Sequence, residues 1–239
     1  MRLFALLLAC SVQVLYAYDG PPPLTEVDAR SPIRMGGELL GGYRSHYIFR
    51  GEEIGSHSVE GQIAGGISLS DSWALSGELF SIRNWQDRRF SQITLHGEAE
   101  YYLADECTVS VFINGQRYDH VPFQNGVEPG FSLKWNPVPA WSLQGSLLYD
   151  SGQDGVYSRC SMTWQPLLSG SVAMVNTVAV GLCHSYLGKN GLKELMARTG
   201  IAWSVSGSLR LEPFLGVYYG CGRDDFKKAV LGIWCSYVF

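Results

Sequence analysis

From about residue 36 to Phe239 the chain alternates apolar and polar residues, segment after segment, and no stretch of it reads as a long helix. A strand sends successive side chains to opposite faces. Such a chain therefore folds into sheet with one oily face and one polar face. The expected strands are 36–50, 58–69, 73–83, 91–103, 107–117, 126–136, 140–149, 155–166, 172–186, 194–205, 208–220 and 227–239. Each has the roughly 9–11 residues a tilted strand needs to cross a bilayer. Ile93, Leu95, Ala99, Tyr101 and Leu103 form one row against Thr94, His96, Glu98 and Glu100. Leu209, Leu211, Leu215 and Val217 oppose Arg210 and Glu212. Val172 to Val180 is apolar on both rows and has the weakest strand pattern.

Alternation alone does not say which row is inside. A soluble sandwich or barrel buries the oily row; a membrane barrel turns it to lipid. The connections favour the second. Ser70-Asp71-Ser72, Ala104-Asp105-Glu106, Asn136 to Pro139, Leu168 to Gly170 and Ser206-Gly207 are short and turn-like. The alternate connections, 51–57, 84–90, 117–125, 150–155, 188–193 and 220–225, are longer or more polar. Short turns on one side and longer loops on the other are the outer-membrane habit. Trp73, Trp135, Trp141, Trp164 and Trp203 lie near the short turns, where an interfacial aromatic girdle belongs. The 28 glycines, 13% aromatic and 17% charged residues suit the same class. A net charge of -4 leaves no electrostatic footprint for nucleic acid. The expectation is an all-β fold, a closed antiparallel transmembrane β-barrel of about twelve strands.

Both ends agree with an envelope protein. Met1-Arg2 precedes an apolar run and then small residues near Ala17, the parts of a secretory signal peptide. Cleavage after Ala17 leaves a proline-rich periplasmic lead over 18–35 and a barrel over 36–239. The rival is Leu7-Leu8-Ala9-Cys10, which resembles a lipoprotein box and would leave Cys10 acylated. At the other end Leu231, Ile233, Cys235, Tyr237 and Phe239 form an oily row against Gly232, Trp234, Ser236 and Val238. This pattern resembles the closing strand of Gram-negative outer-membrane barrels. The resemblance implies that Gly232, Tyr237 and Phe239 serve as an assembly signal. The partners it implies are outer-membrane lipid and the barrel assembly machinery.

The most specific internal segment is Gly42-Tyr43-Arg44-Ser45-His46-Tyr47-Ile48-Phe49-Arg50-Gly51. It resembles the first-strand motif of the Gcw_chp family of uncharacterised bacterial envelope proteins, over about residues 38 to 83. The continuation Glu52-Glu53-Ile54-Gly55 departs from the family pattern. The family brings no established enzymatic activity. By strict alternation Tyr43, Tyr47 and Phe49 face outward, and Arg44, His46 and Arg50 face the lumen. The expected lumen network is Glu38, Arg44, His46, Arg50, Glu60, Glu78, His96, Glu98, Glu100, Glu128, Lys134, Arg159, Arg198, Arg210 and Glu212. Buried charges must be paired to be tolerated, so Arg44 and Arg50 are expected against carboxylates such as Glu60, Glu78 or Glu98.

These residues fit a structural envelope barrel or a narrow passive channel for small solutes. The alternative is an outer-membrane enzyme of lipid A deacylase, phospholipase or protease type, with its site at the extracellular rim. The histidines are scattered, and no catalytic, cofactor or metal residue is assigned. Cys107, Cys160 and Cys235 fall on the outward row, so no disulfide framework is expected.

Overall fold

The computed structural model describes residues 34–85, 91–119, 123–221 and 226–239. The expected leader over 1–17, Cys10 and nearly all of the proline-rich lead lie outside them. The strands are β1 (Arg34–Phe49), β2 (Glu52–Ser70), β3 (Trp73–Asn84), β4 (Ser91–Ala104), β5 (Cys107–Tyr118), β6 (Gly126–Val138) and β7 (Trp141–Asp150). They continue as β8 (Gly155–Trp164), the three-residue β9 (Leu167–Ser169), β10 (Val172–Tyr186), β11 (Lys189–Ser204), β12 (Leu209–Gly220) and β13 (Phe226–Val238). Every neighbouring pair is antiparallel. β9 is a stub against the start of β10. The twelve long strands close on themselves, as expected, and β1 pairs with β13 from Glu38↔Val238 to Arg44↔Gly232. Closure leaves no strand edge with unpaired amides, which a bilayer would not tolerate.

Neighbouring residues on β4 decide which face is inside. Leu95 is 63% exposed and His96 is 2% exposed. The same split runs round the barrel: Ile63, Leu79, Val111, Leu133, Ile201 and Leu231 are exposed, while Glu60, Glu78, Asn114, Ser132 and Arg198 are buried. The oily row faces outward, so the molecule is a transmembrane barrel. Trp73, Trp135, Trp141, Trp164 and Trp203 are all exposed at the short-turn rim. Tyr43, Tyr149 and Tyr219 form a sparser outward set nearer the loop rim. Cys160 and Cys235 are outward and exposed, Cys183 is buried, and all five described cysteines are free thiols.

Two connections are tighter than expected. Of the stretches 51–57 and 188–193, residues 52–57 and 189–193 belong to strands, and Gly51 and Gly188 complete two-residue turns. β1 turns into β2 through Arg50-Gly51, at φ 48° and 72°, and β10 into β11 through Leu187-Gly188, at 51° and 71°. Two central residues with positive φ match the right-handed twist of the flanking strands. The loop-rim hairpins built this way carry no loop at all.

The interior changes character along the axis. Near the short-turn rim the inward row is mostly polar, apart from a small apolar cluster of Ala173, Val175 and Ala202 on β10 and β11. Towards the loop rim it becomes aromatic, with Tyr47, Phe49, Phe80, Ile82, Phe112, Tyr118, Phe123, Leu148, Tyr157 and Tyr186 in one buried cluster. A second cluster stacks Phe214 on Trp234 at a centroid distance of 4.0 Å. Glycines on facing strands make room for these rings. A Cβ on Gly232 would collide with Phe214, one on Gly42 with Trp234, and one on Gly130 with Phe112.

Candidate functional site

The tip of the β1–β2 hairpin closes the loop rim from within. The alternation of β1 inverts between Arg44 and Tyr47, both buried at an odd spacing, where β2 carries His57 at φ 53° between the partners Ser58 and Ser56; a register shift follows between Tyr47 and Ile48. A bulge of this kind bends its strand and re-aims side chains. Tyr47 and Phe49, expected to face lipid, are instead 2% exposed and turned inward. Tyr47 donates its hydroxyl to Gln92 at 2.8 Å, and Phe49 packs on Tyr47, Tyr118 and Phe123. His46, expected in the lumen, is half-exposed at the rim and bonds Glu53 at 2.8 Å. Glu53 also pairs with Lys228 at 3.2 Å. These are corrections to the alternating reading, and the inversion of β1 between Arg44 and Tyr47 is their cause.

Arg50 sits at the end of this bent segment and reaches strands on the far side of the barrel. Its Nη1 and Nη2 donate to the two oxygens of Glu128 on β6, each at 2.7 Å. Nη1 also donates to Asp150 Oδ2 on β7 at 3.2 Å and to the Tyr186 hydroxyl on β10 at 2.9 Å. The guanidinium carbon lies 4.7 Å from the Phe49 ring centre, 5.2 Å from Tyr157 and 5.5 Å from Tyr186. Arg50 is thus paired with Glu128 and Asp150 rather than with Glu60, Glu78 or Glu98. A second strut stands beside it: Lys193 of β11, fully buried, pairs with Glu52. Buried charges tolerate low dielectric only when paired and hydrogen-bonded, and both cations meet that condition.

A line of hydrogen bonds runs from Glu128 down the β4–β6 wall. Glu128 accepts from Asn114 at 3.0 Å and Gln116 at 3.2 Å. Asn114 Oδ1 lies 2.7 Å from His96 Nδ1, and His96 Nε2 lies 3.4 Å from Glu98. Ser110 donates to Glu98 and lies 2.6 Å from Ser132. Cross-strand register sets this line, because Glu78, His96, Asn114 and Glu128 are successive partners across β3 to β6.

The remaining inward groups fall into smaller sets. Arg44 donates to both oxygens of Glu60, at 3.3 and 2.6 Å. Arg198 lies 4.8 Å over Trp234. Glu194 accepts from Tyr157 at 2.8 Å and pairs with Arg159 at 3.4 Å. Arg210 donates to Glu212 at 2.5 Å, Gln62 to Glu78 at 2.8 Å, and Tyr102 to Glu100 at 3.0 Å. Glu38 is buried at the short-turn end of β1. Lys134, Gln144, Ser146, Ser161 and Thr163 point inward on β6 to β8 but remain half-buried. That sector, towards the short-turn rim, keeps part of its inward polar surface open to solvent.

The described histidines stand apart. His57, at φ 53°, bonds the Tyr43 hydroxyl through Nδ1 at 2.6 Å, and His184 lies opposite Val156 on β8. Among the described residues no group of His, Cys, Asp and Glu is arranged to hold a metal ion. The sequence reading missed Glu52, Asp150, Tyr157, Tyr186, Lys193 and Glu194 as interior groups. Their one signal was placement beside turns on the loop side, which also fits surface decoration.

No protein-family model matches the chain, and no curated protein matches it in sequence. Solved structures do match in shape. The KdgM porin is 8% identical, with 84% of this chain and 99% of that one covered, at a TM-score of 0.55. The NanC porin is 14% identical, covering 84% and 98%, at 0.54. The fold is that of outer-membrane β-barrel porins. Outer membrane phospholipase A from Escherichia coli is also similar, at 12% identity, 84% and 92% coverage and a TM-score of 0.51. Porins and an enzyme share this barrel, so the fold is of the outer-membrane barrel type and leaves the activity to the chain's own residues.

Proposed function

We propose that this chain is a Gcw_chp-like envelope barrel with a narrow passive path for small solutes, closed at the loop rim by its own first hairpin. The motif behind the family resemblance, Ser45 to Gly51, is the same segment that bends inward and carries Arg50. The observation that carries the reading is the seat of Arg50. One side chain from the β1–β2 turn joins β6, β7 and β10 across the mouth, with every member buried. The half-buried polar sector on β6 to β8 supplies the path below it. Planar-bilayer recording tests this. The wild-type barrel should be silent or nearly so, and Arg50→Ala should conduct small ions steadily. An Arg50→Ala barrel that is correctly folded and as silent as wild type would overturn the reading.

A further inference from the structure

We infer that the pocket holding Arg50 is a guanidinium-binding site, occupied here by the chain's own side chain, and that its ligand class is a singly substituted guanidinium. The inference rests on the closed-mouth reading but concerns what the seat recognises. Three features define the site; the first selects a guanidinium over an ammonium, and the other two favour a cation. Glu128 meets both terminal nitrogens in parallel, each at 2.7 Å. That two-pronged match is available to a planar fork and not to a point charge. The rings of Phe49, Tyr157 and Tyr186 lie within 5.5 Å of the guanidinium carbon, so the cation has aromatic neighbours as well as anionic ones. Asp150 and the Tyr186 hydroxyl complete the set on Nη1.

The fourth feature gives the substitution. Nε of Arg50 is buried and has no hydrogen-bond partner. The site therefore reads the terminal edge of the group and ignores the nitrogen through which it is tethered. A free guanidine carrying one alkyl substituent presents the same edge. Removing the Arg50 side chain leaves Glu128, Asp150, Tyr157 and Tyr186 in place, each provided by a different strand from the one that supplied the ligand. The seat is built by β6, β7, β8 and β10, with Phe49 as the one contribution of the hairpin.

The experiment is chemical rescue of Arg50→Ala. In bilayers, methylguanidinium should reduce the conductance of the variant at concentrations about tenfold below those needed with methylammonium, the ratio one further charge-assisted hydrogen bond supplies. Equal potency of the two cations would overturn the inference while leaving the closed-mouth reading intact. If Arg50→Ala does not conduct, the closed-mouth reading fails and the seat is judged by melting of the folded barrel. Methylguanidinium should raise the melting temperature and methylammonium should not; equal shifts overturn the site. If the variant does not fold unaided, refolding yield is scored with the same pair of cations and the same criterion.

Discussion

The indole of Trp234, on the last strand, reaches across Gly42 of the first strand and donates to Glu60 of the second. Gly42 is the cross-strand partner of both, and a Cβ there would collide with the indole and lie 2.9 Å from the Glu60 carboxylate. The seam at which the barrel closes is therefore bridged on its inner face by one side chain. Arg44 holds the same carboxylate and lies 5.5 Å from the Trp234 ring.

Replacing Arg44 by Leu removes the cation and leaves Glu60 with the indole alone. Breaking one side of a buried pair typically costs about 3–5 kcal/mol. The folded fraction should fall at lower urea than in wild type, measured by the band shift between heated and unheated samples. Arg44→Leu combined with Glu60→Leu should recover part of the loss, because no unpaired charge then remains inside. A double variant no more stable than the single would show that packing around Trp234, not the charge, sets the cost.

Gly232→Val tests the aromatic filling of the same seam. The new side chain would occupy the space of the Phe214 ring, which rests over Gly232 and stacks on Trp234. Overpacking a filled interior typically costs about 1–3 kcal/mol. Gly232→Val should lower the urea midpoint, and Phe214→Ala in the same chain should restore part of it. Gly41, an outward glycine with nothing within 4 Å of its Cβ position, is the control, and Gly41→Val should leave the midpoint nearly unchanged.

The strands, their number and the outward row were legible because each follows from a period of two repeated round the barrel. Leu95 and His96 are adjacent, and the pattern alone assigned them to opposite faces. The hairpin tip was not legible for the same reason. Tyr47 and Phe49 stand at odd positions with Tyr43, and only the inversion of β1 between Arg44 and Tyr47 separates them. A bulge depends on what the partner strand presents, here His57 at positive φ and the tight Arg50-Gly51 turn. Long-range partners such as Glu128 and Asp150 lie 78 and 100 residues from Arg50, beyond any local pattern. Near the loop rim the inward row also becomes aromatic, so residues such as Phe80 and Phe112 could not be separated from lipid-facing ones by polarity.

Phe239 has a structural seat as well as a terminal position. Its backbone exchanges two hydrogen bonds with Gly37 at 3.0 Å each, and its ring lies over Gly37, within 2.7 Å of where a Cβ would stand. Phe239→Ala should lower the amount of assembled barrel in the outer membrane more than it lowers synthesis, as read by heat-modifiable protein against total protein. Gly37→Leu should reduce the refolded fraction in detergent by denying the ring its place, with no assembly machinery present. A Phe239→Ala chain that refolds normally in detergent but accumulates poorly in cells assigns the residue to recognition. One that fails in both assigns it to the seam.

The two tight hairpins give a matched test of the plug. Gly51 and Gly188 are the second residues of equivalent turns, at φ 72° and 71°. Alanine at either position carries the same left-handed backbone strain, about 1–2 kcal/mol. Their surroundings differ. A Cβ on Gly188 meets nothing within 4 Å, whereas one on Gly51 would collide with the carbonyl of Lys193. That carbonyl also accepts from the amide of Cys221 at 2.8 Å, which fixes it in place. The close approach exists because the Arg50-Gly51 turn is tucked against β11, whereas Gly188 is exposed at the tip of its turn even though Leu187 packs on the interior cluster. Gly51→Ala should therefore unseat the hairpin and raise single-channel conductance, and Gly188→Ala should cost stability alone and leave conductance at the wild-type level. Equal conductance in both variants would mean that the β1–β2 tip can withdraw from Lys193 without opening the mouth, and that the closure lies deeper, among the rings around Phe49.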